Sequence, residues 1–417
     1  MGDLDYRPFP EEREDEFSAF MRYAFSPEQG PYDPEADDDD REHLAEYRGL
    51  FDGEEPVAVC GHHDFTLRIR GRDRDAAGLS AVASPPEHRR RGHIERLLRE
   101  SLTEYRSDGV RYSVLWPFEH PFYRRYGWAT VNRYRWAKTP PEQLAFAADA
   151  ADGSDEAGEF RRLDADDHER AADLLAATAD RYDFTMARTA AWWRERTLRG
   201  WQTDPFVYGL DRDGDLRALL SYTFTERDDG DGKAMVVSDA AVADPAAWDE
   251  VFRFCRDHDS QVERVRLRLP ADVSLLDRVD DPRAVTEEVR AGPMFRLVDV
   301  PAALRELAPD PDLDAAFTLA VDDPLVDWHD RLVRVTVADG EVAAERVGGG
   351  NDSGGVDGDA DVTAEIGPLS QLYAGYRDVD DLRAHAALDV DGGPGEDLAA
   401  DLAALFPPRR TFLREGF

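Results

Sequence analysis

The sequence predicts an α/β (α+β) chain in three blocks, the first two of which share the order strand, turn, helix, strand. Two stretches of low complexity interrupt the chain, the first between the first two blocks and the second inside the third. An Ala/Asp/Gly-rich stretch, AADAADGSDEAGE at 147–159, reads as a linker, and an acidic, glycine-rich excursion, GGGNDSGGVDGDAD, occupies 348–361. The expected units are 1–145, 160–292 and 293–417. A chain of 417 residues calls for two or three domains, and 42% hydrophobic with 10% aromatic residues gives each of them a core.

In the first block, Glu16 to Phe25 reads as a helix, with Phe17, Phe20, Met21 and Ala24 at helical spacing. PYDPEADDDDREH at 31–43 is a polar loop. Strands are expected at Pro56–Cys60, Asp64–Arg70 and Gly78–Ala83. A helix then carries Ile94, Leu97, Leu98, Leu102 and Tyr105 on one face. Gly109 stops it, and Tyr112–Trp116 is the next strand. The second block repeats the order with a strand at Met235–Val242, a helix from Pro245 to about Asp257 with Val251, Phe254 and Cys255 inward, and a strand at Val262–Leu269. Its turn, within AVADPAAWDE, has neither arginine nor glycine, so it reads as a duplicate whose anion-binding turn has been lost.

Charge excludes more than it identifies. Eighty-nine acidic against 51 basic side chains leave a net charge of −38, and only Lys138 and Lys233 among the basic residues are lysines. A folded chain with such a surface suits a high-salt cytoplasm, where carboxylates stay hydrated and salt screens their repulsion. General nucleic-acid binding, which needs a basic stripe, is excluded. No apolar run reaches the length of a membrane span, and the N-terminus has no signal-peptide core, so a cytoplasmic location is expected. Cys60 and Cys255 read as small buried residues.

Against this acidity, Arg89-Arg90-Arg91-Gly92-His93-Ile94 opens the first block's helix. A pyrophosphate needs inward backbone N–H groups, a helix N-terminus, positive charge and a glycine where a side chain would block approach. This turn supplies all of them, although a solvated or salt-bridged basic helix start would have the same composition. About thirty residues on stands Phe122-Tyr123-Arg124-Arg125-Tyr126-Gly127-Trp128. The pair of motifs resembles the GNAT acetyltransferase signatures. The resemblance implies tandem GNAT folds, each a mixed, mostly antiparallel sheet with flanking helices, and acetyl-CoA as co-substrate. It implies a pantetheine arm along Val82, Ala83 and Ser84, and a pyrophosphate on the amides of Arg89, Arg90, Arg91, Gly92, His93 and Ile94. Tyr123 matches the tyrosine that protonates the departing thiolate, with Tyr126 as its neighbouring candidate and Trp128 as packing.

The runs AVASPPEHRRRGHIERLL and LWPFEHPFYRRYGWA are similar to the Eis-type (enhanced intracellular survival) acetyltransferases. So is the arrangement of an active GNAT unit, a degenerate one and a third, sterol-carrier-like α+β domain. Phe295-Arg296-Leu297-Val298-Asp299-Val300-Pro301 opens that domain in the family's manner, and Leu332–Val337 reads as one of its strands. In that family the C-terminal carboxylate serves as general base in the first domain, which points here to Phe417, with Glu415 as a second candidate. The resemblance further implies a primary-amine acceptor (aminoglycoside-like, polyamine or lysine-type) and a trimer-based homo-oligomer. The loop acids Asp33, Glu35 and Asp37–Asp40 are candidates to line the acceptor pocket. A non-catalytic acetyl-CoA- or lipid-binding module and a protein-lysine acetyltransferase are the alternatives. No metal is expected: His62 and His63 are adjacent on a strand and therefore face opposite ways. Asp357-Gly358-Asp359-Ala360-Asp361 lacks the glycine and glutamate of a calcium loop. His88 belongs to the turn, and Trp192-Trp193 reads as packing.

Overall fold

The computed structural model describes residues 4–35, 41–147, 158–201, 203–226, 232–347, 360–390 and 398–417. The loop acids Asp37–Asp40, most of the 147–159 linker and Asn351–Asp359 lie outside them.

The first block gives β1 (Asp5–Pro8), α1 (Glu14–Phe25), β2 (Glu46–Asp52), β3 (Glu55–Ile69), β4 (Arg72–Ala83), α2 (His93–Ser107), β5 (Tyr112–Leu115), α3 (His120–Arg124), β6 (Ala129–Thr130) and β7 (Arg133–Thr139). The two strands expected at 56–60 and 64–70 are one 15-residue strand, because Gly61, His62 and His63 between them are extended too. The second block gives β8 (Glu159–Arg162), a helix His168–Ala179, β9 (Phe206–Arg212), β10 (Asp215–Glu226), β11 (Lys233–Val242), a helix Ala247–Arg256, β12 (Arg264–Pro270) and β13 (Thr286–Ala291), and the third opens with β14 (Met294–Leu297). In the helix Ala247–Arg256, Val251 and Cys255 are buried as expected. Phe252 is buried too, whereas Phe254 is only half-buried against Phe160.

Two seven-stranded sheets result, in the orders β1-β2-β3-β4-β5-β14-β6 and β13-β7-β12-β11-β10-β9-β8. Each is antiparallel except at one pair, β4 with β5 and β11 with β12. The sheets have exchanged a strand. β7 leaves the first block to lie between β12 and β13, and β14 returns to lie between β5 and β6. The sequence places Arg133–Thr139 with the first unit and Met294–Leu297 with the third. Their pairing is decided by partners more than 100 residues away, which local periodicity does not record.

β15 (Ala315–Asp322), β16 (Val333–Ala338), β17 (Glu341–Arg346), β18 (Val362–Glu365) and β19 (Leu388–Val390) form the third sheet, in the order β17-β16-β15-β18-β19. Four helices accompany it, Val300–Leu304, Ile366–Tyr373, Val379–Ala384 and Leu398–Leu405. One continuous apolar core joins this unit to the first sheet, running from Phe65 and Leu67 of β3 through Phe184 and Phe295 to Leu319, Val335 and Leu372.

Candidate active site

The helix α2 begins without a side-chain cap, so its first amides are open. Gly92 stands at its N-cap with φ +81°, in the left-handed region, and a Cβ there would meet nothing within 4 Å. Arg90 is also left-handed, at φ +60°, which is unusual for a residue with a side chain. Arg89, Arg90 and Arg91 are all exposed. Arg89 donates to the Ser84 carbonyl at 3.1 Å and lies over the Tyr23 ring, while Arg90 and Arg91 enter no ion pair among the described residues. Two guanidinium groups thus stand beside an uncapped 15-residue helix, whose open amides and dipole favour negative charge. His93 has its imidazole pKa lowered by burial and by the neighbouring His88 and Arg91. His88 itself is held by Glu55 at 3.0 Å.

Upstream of that turn, β4 and β5 pair only at Ala77–Ser113 and Gly78–Val114, and beyond these they part. Val82 and Ala83, which precede the turn, thus line an opening between two strands. On its other side β4 carries a bulge against β3, where Ala81 and Val82 stand opposite Cys60, with Ala81 at φ +54°. Parted strands and a bulge leave backbone amides on β4 that the β5 ladder does not use.

Tyr123 comes from α3 and packs with Cys60, Leu79, Val82 and Trp128 on the α2 side of the first sheet. It is 3% exposed, and burial, with Cys60 nearby, raises its hydroxyl pKa above the usual tyrosine value. Trp128 is fully buried and donates to Ser113 Oγ at 3.3 Å. Gly127 must be glycine. Its φ is +87°, and a Cβ would strike the Arg296 guanidinium arriving on the exchanged strand β14. Arg296 donates to the Tyr126 carbonyl and to both Asp323 oxygens at 2.6 and 2.8 Å, and Asp323 also takes His329 Nδ1 at 2.7 Å. Burial pushes the Asp323 carboxyl up, but His329 and Arg296 outweigh it and bring it down to about 2.

The last seven residues run along the opposite face. Thr411 Oγ1 donates to the Val131 carbonyl at 2.5 Å, and Leu413 N–H donates to Asn132 Oδ1 at 3.2 Å. The Phe417 ring then lies 4.7 Å from Phe65 and 5.6 Å from His63, centroid to centroid. His63 meets Ser80 Oγ at 3.1 Å, while His62 points the other way, to Ser101 at 3.0 Å beneath α2. The adjacent histidines do face opposite ways. Burial brings both imidazoles down to about 4. Gly78 has no side chain because the Phe65 ring crosses it. Tyr123 and Phe417 therefore stand on opposite faces of the sheet, close to where β4 and β5 part.

Three family matches tile the chain. Residues 5–131 and 185–297 each match an acetyltransferase (GNAT) domain, and residues 300–414 match a sterol carrier protein domain. The chain is a GNAT acyltransferase. Its relatives include N-acetyltransferases, described as uncharacterized, from Streptomyces coelicolor and Streptomyces avermitilis. The first is 26% identical over 82% of this chain and 84% of its own length. The second is 27% identical over 69% of this chain and 71% of its own. Among solved structures, a probable N-acyltransferase from Enterococcus faecalis superposes with a TM-score of 0.82 at 19% identity, covering 99% of this chain and all of that one. Eis1 from Mycobacterium abscessus superposes at 0.73 and 20%, with the same coverage. Both share the acyltransferase's fold.

Several residues that local sequence reading singled out fall elsewhere in the acyltransferase. Glu415 is 5% exposed and ion-paired to Arg188 at 2.7 Å. Asp33 and Glu35 are exposed, with Asp33 accepting from the Glu35 amide at 3.1 Å. Cys60 and Cys255 are buried free thiols, Cys60 pushed up to about 12 by burial. Trp192 and Trp193 are buried, as expected of packing residues. The pairings of Arg296 on β14, of Asp323 just after β15 and of the loop residue Arg188 are not legible in the sequence, because a lone arginine or aspartate carries no motif. A trace of Arg296 was present in Gly127, whose lack of a side chain is the space the guanidinium fills.

Proposed function

We propose that the acyltransferase moves the acetyl group of acetyl-CoA directly to a primary amine. The observation that carries this is the parting of β4 and β5 between a buried tyrosine on one face and the final residue on the other. One proton must leave the amine and another must reach sulfur, and the two candidate groups lie on opposite sides of the opening. The pyrophosphate fits the open α2 amides, with Arg89, Arg90 and Arg91 around it and Gly92 giving access, and the pantetheine arm fits along Val82, Ala83 and Ser84. When bound, acetyl-CoA supplies an activated thioester carbonyl.

The residues then divide the work. The Phe417 carboxylate takes a proton from the substrate ammonium, freeing the nitrogen lone pair. An α-carboxylate has an ordinary pKa of about 3.5, so this base acts through desolvation or a relaying water. The bulge amides of Ala81 and Val82 steady the carbonyl oxygen as the C–N bond forms. Tyr123 gives its hydroxyl proton to sulfur as the C–S bond breaks, and the second proton, which the nitrogen loses once the C–N bond has formed, restores the tyrosine hydroxyl through water. The acceptor class is aminoglycoside-like, polyamine or lysine-type, and a trimer-based homo-oligomer in the cytoplasm completes the reading. Among the described residues no helix is long and apolar enough to cross a membrane. A lipid-carrier role for the third domain is disfavoured because Phe412 packs on Tyr182 and Phe417 on Phe65, both outside that domain.

The test is thiol release from acetyl-CoA in high salt against polyamines, aminoglycosides and lysine peptides. Turnover on at least one amine, cut by about 100-fold in Tyr123→Phe with acetyl-CoA binding retained, is expected. Binding without turnover on any amine would replace the enzyme reading with a binding module.

A further inference from the structure

The second domain keeps the architecture of an acyl-CoA site and none of its anion chemistry. β11 and β12 pair in parallel from Ala234–Arg264 to Val237–Leu267 and then part, as β4 and β5 do. A bulge at Ser238 in β11 stands where β4 has its own, against the preceding strand of the sheet. Yet the helix that follows, Ala247–Arg256, has its first amide taken by Asp244 Oδ1 at 3.0 Å, and Asp244 is itself paired to Arg217. A carboxylate already sits where a phosphate would need to.

The final segment enters this second opening. Arg414 donates through Nε to the Ala240 carbonyl on β11 at 3.3 Å, and Arg268 on β12 donates to the Arg414 carbonyl at 2.7 Å. The two parted strands are thus bridged by the tail. Arg188 donates to Glu415 Oε1 at 2.8 Å and to Asp239 Oδ2 on β11 at 2.6 Å, and Trp116 Nε1, from the loop after β5, donates to the Glu415 carbonyl at 2.6 Å. Arg188, Arg414 and Glu415 are each at least 94% buried. Burial opposes charge at Asp239, but the arginines beside it prevail and its carboxyl pKa is lowered. Two residues past Glu415 the chain reaches Phe65 and His63.

We propose that the cofactor wedge of the second domain has become a socket for the tail, in which Arg188, Asp239 and Arg268 act as positioning residues that aim Phe417 at the first domain's site. The socket deepens the proposed function and rests on the role given there to the Phe417 carboxylate. It gives the degenerate domain a purpose, since its parted strands hold a peptide where an active domain would hold pantetheine. Breaking a buried pair by removing one partner leaves an uncompensated charge, so the tail should loosen when Arg188 is lost.

Two measurements on the full chain separate seating from chemistry. Hydrogen–deuterium exchange across 411–417 reads the seating, and kcat with KM for acetyl-CoA reads its consequence. In Arg188→Met and in Glu415→Gln, exchange should rise at least about tenfold. Turnover should fall about 100-fold, as a misplaced group requires. KM for acetyl-CoA should stay within about twofold of the parent, and Arg188→Lys should recover part of both losses. Unchanged exchange in both variants overturns the socket. Faster exchange with unchanged kcat supports the socket and instead removes the carboxylate from the proposed mechanism. Acetyl-CoA binding at two sites per chain also overturns it, because tail and pantetheine cannot share one opening. If Arg188→Met misfolds and loses acetyl-CoA binding, Glu415→Gln, which keeps the side chain's shape, decides by the same criteria.

Discussion

Two glycines of the first domain illustrate how differently a left-handed backbone can be used. Gly92 and Gly127 both have φ above +80°, but only Gly127 is in contact with another side chain at the Cβ position. In stability, Gly92→Ala should therefore cost about 1 kcal/mol of backbone strain and nothing for packing. Gly127→Ala must also displace the buried Arg296 guanidinium, and should lower stability by about 3 kcal/mol or more, read as a shift in urea midpoint. The loss would extend to Tyr123, because Arg296 holds the Tyr126 carbonyl one helical turn away. Tyr123→Phe removes one hydroxyl from a packed site and should leave the urea midpoint nearly unchanged while turnover falls.

Among the elements, α2 and β3 carry separate expectations. With no side-chain cap, and two arginines before it that enter no ion pair among the described residues, α2 should lose acetyl-CoA affinity when Arg90 and Arg91 are both replaced by alanine. A rise in KM of about 10- to 100-fold is expected, smaller at high salt, with kcat preserved. β3 presents His62 and His63 to opposite faces, both buried and both brought down to about 4. The unfolded chain takes up these two protons as pH falls below the ordinary histidine value of about 6.5, and the folded chain does not until about 4. Stability should then decline between those limits by up to about 1.4 kcal/mol per pH unit for each histidine. Urea midpoints at pH 7.5 and 5 measure the decline, and His62→Gln should reduce it.

For the whole molecule, the reciprocal exchange of β7 and β14 and the shared core make the three units one cooperative body. A single unfolding transition is expected by calorimetry and by fluorescence. The isolated segment 1–131 lacks β14, leaving β5 and β6 with exposed edges and Trp128 without Arg296, and should neither fold nor bind acetyl-CoA. A net charge of −38 repels itself in the folded chain, so Tm should rise as potassium chloride is raised from dilute buffer to molar concentrations. A Tm indifferent to salt would show that the acidic surface is not adapted to it.

The sequence by itself determined whatever is encoded within one element or one turn. The start of α2, the Gly92 turn, the Tyr123 motif and the weakened repeat around β11 and β12 are all local patterns of apolar spacing, glycine and charge. Only the tertiary structure decided which sheet each of β7 and β14 joins, what fills the space left by Gly127, and where residues 411–417 run. Those outcomes depend on pairing and charge compensation between positions more than a hundred residues apart. Arg188 illustrates the limit: in sequence it is one arginine among many, and it becomes the partner of Glu415 only once burial removes the water that would otherwise solvate them both.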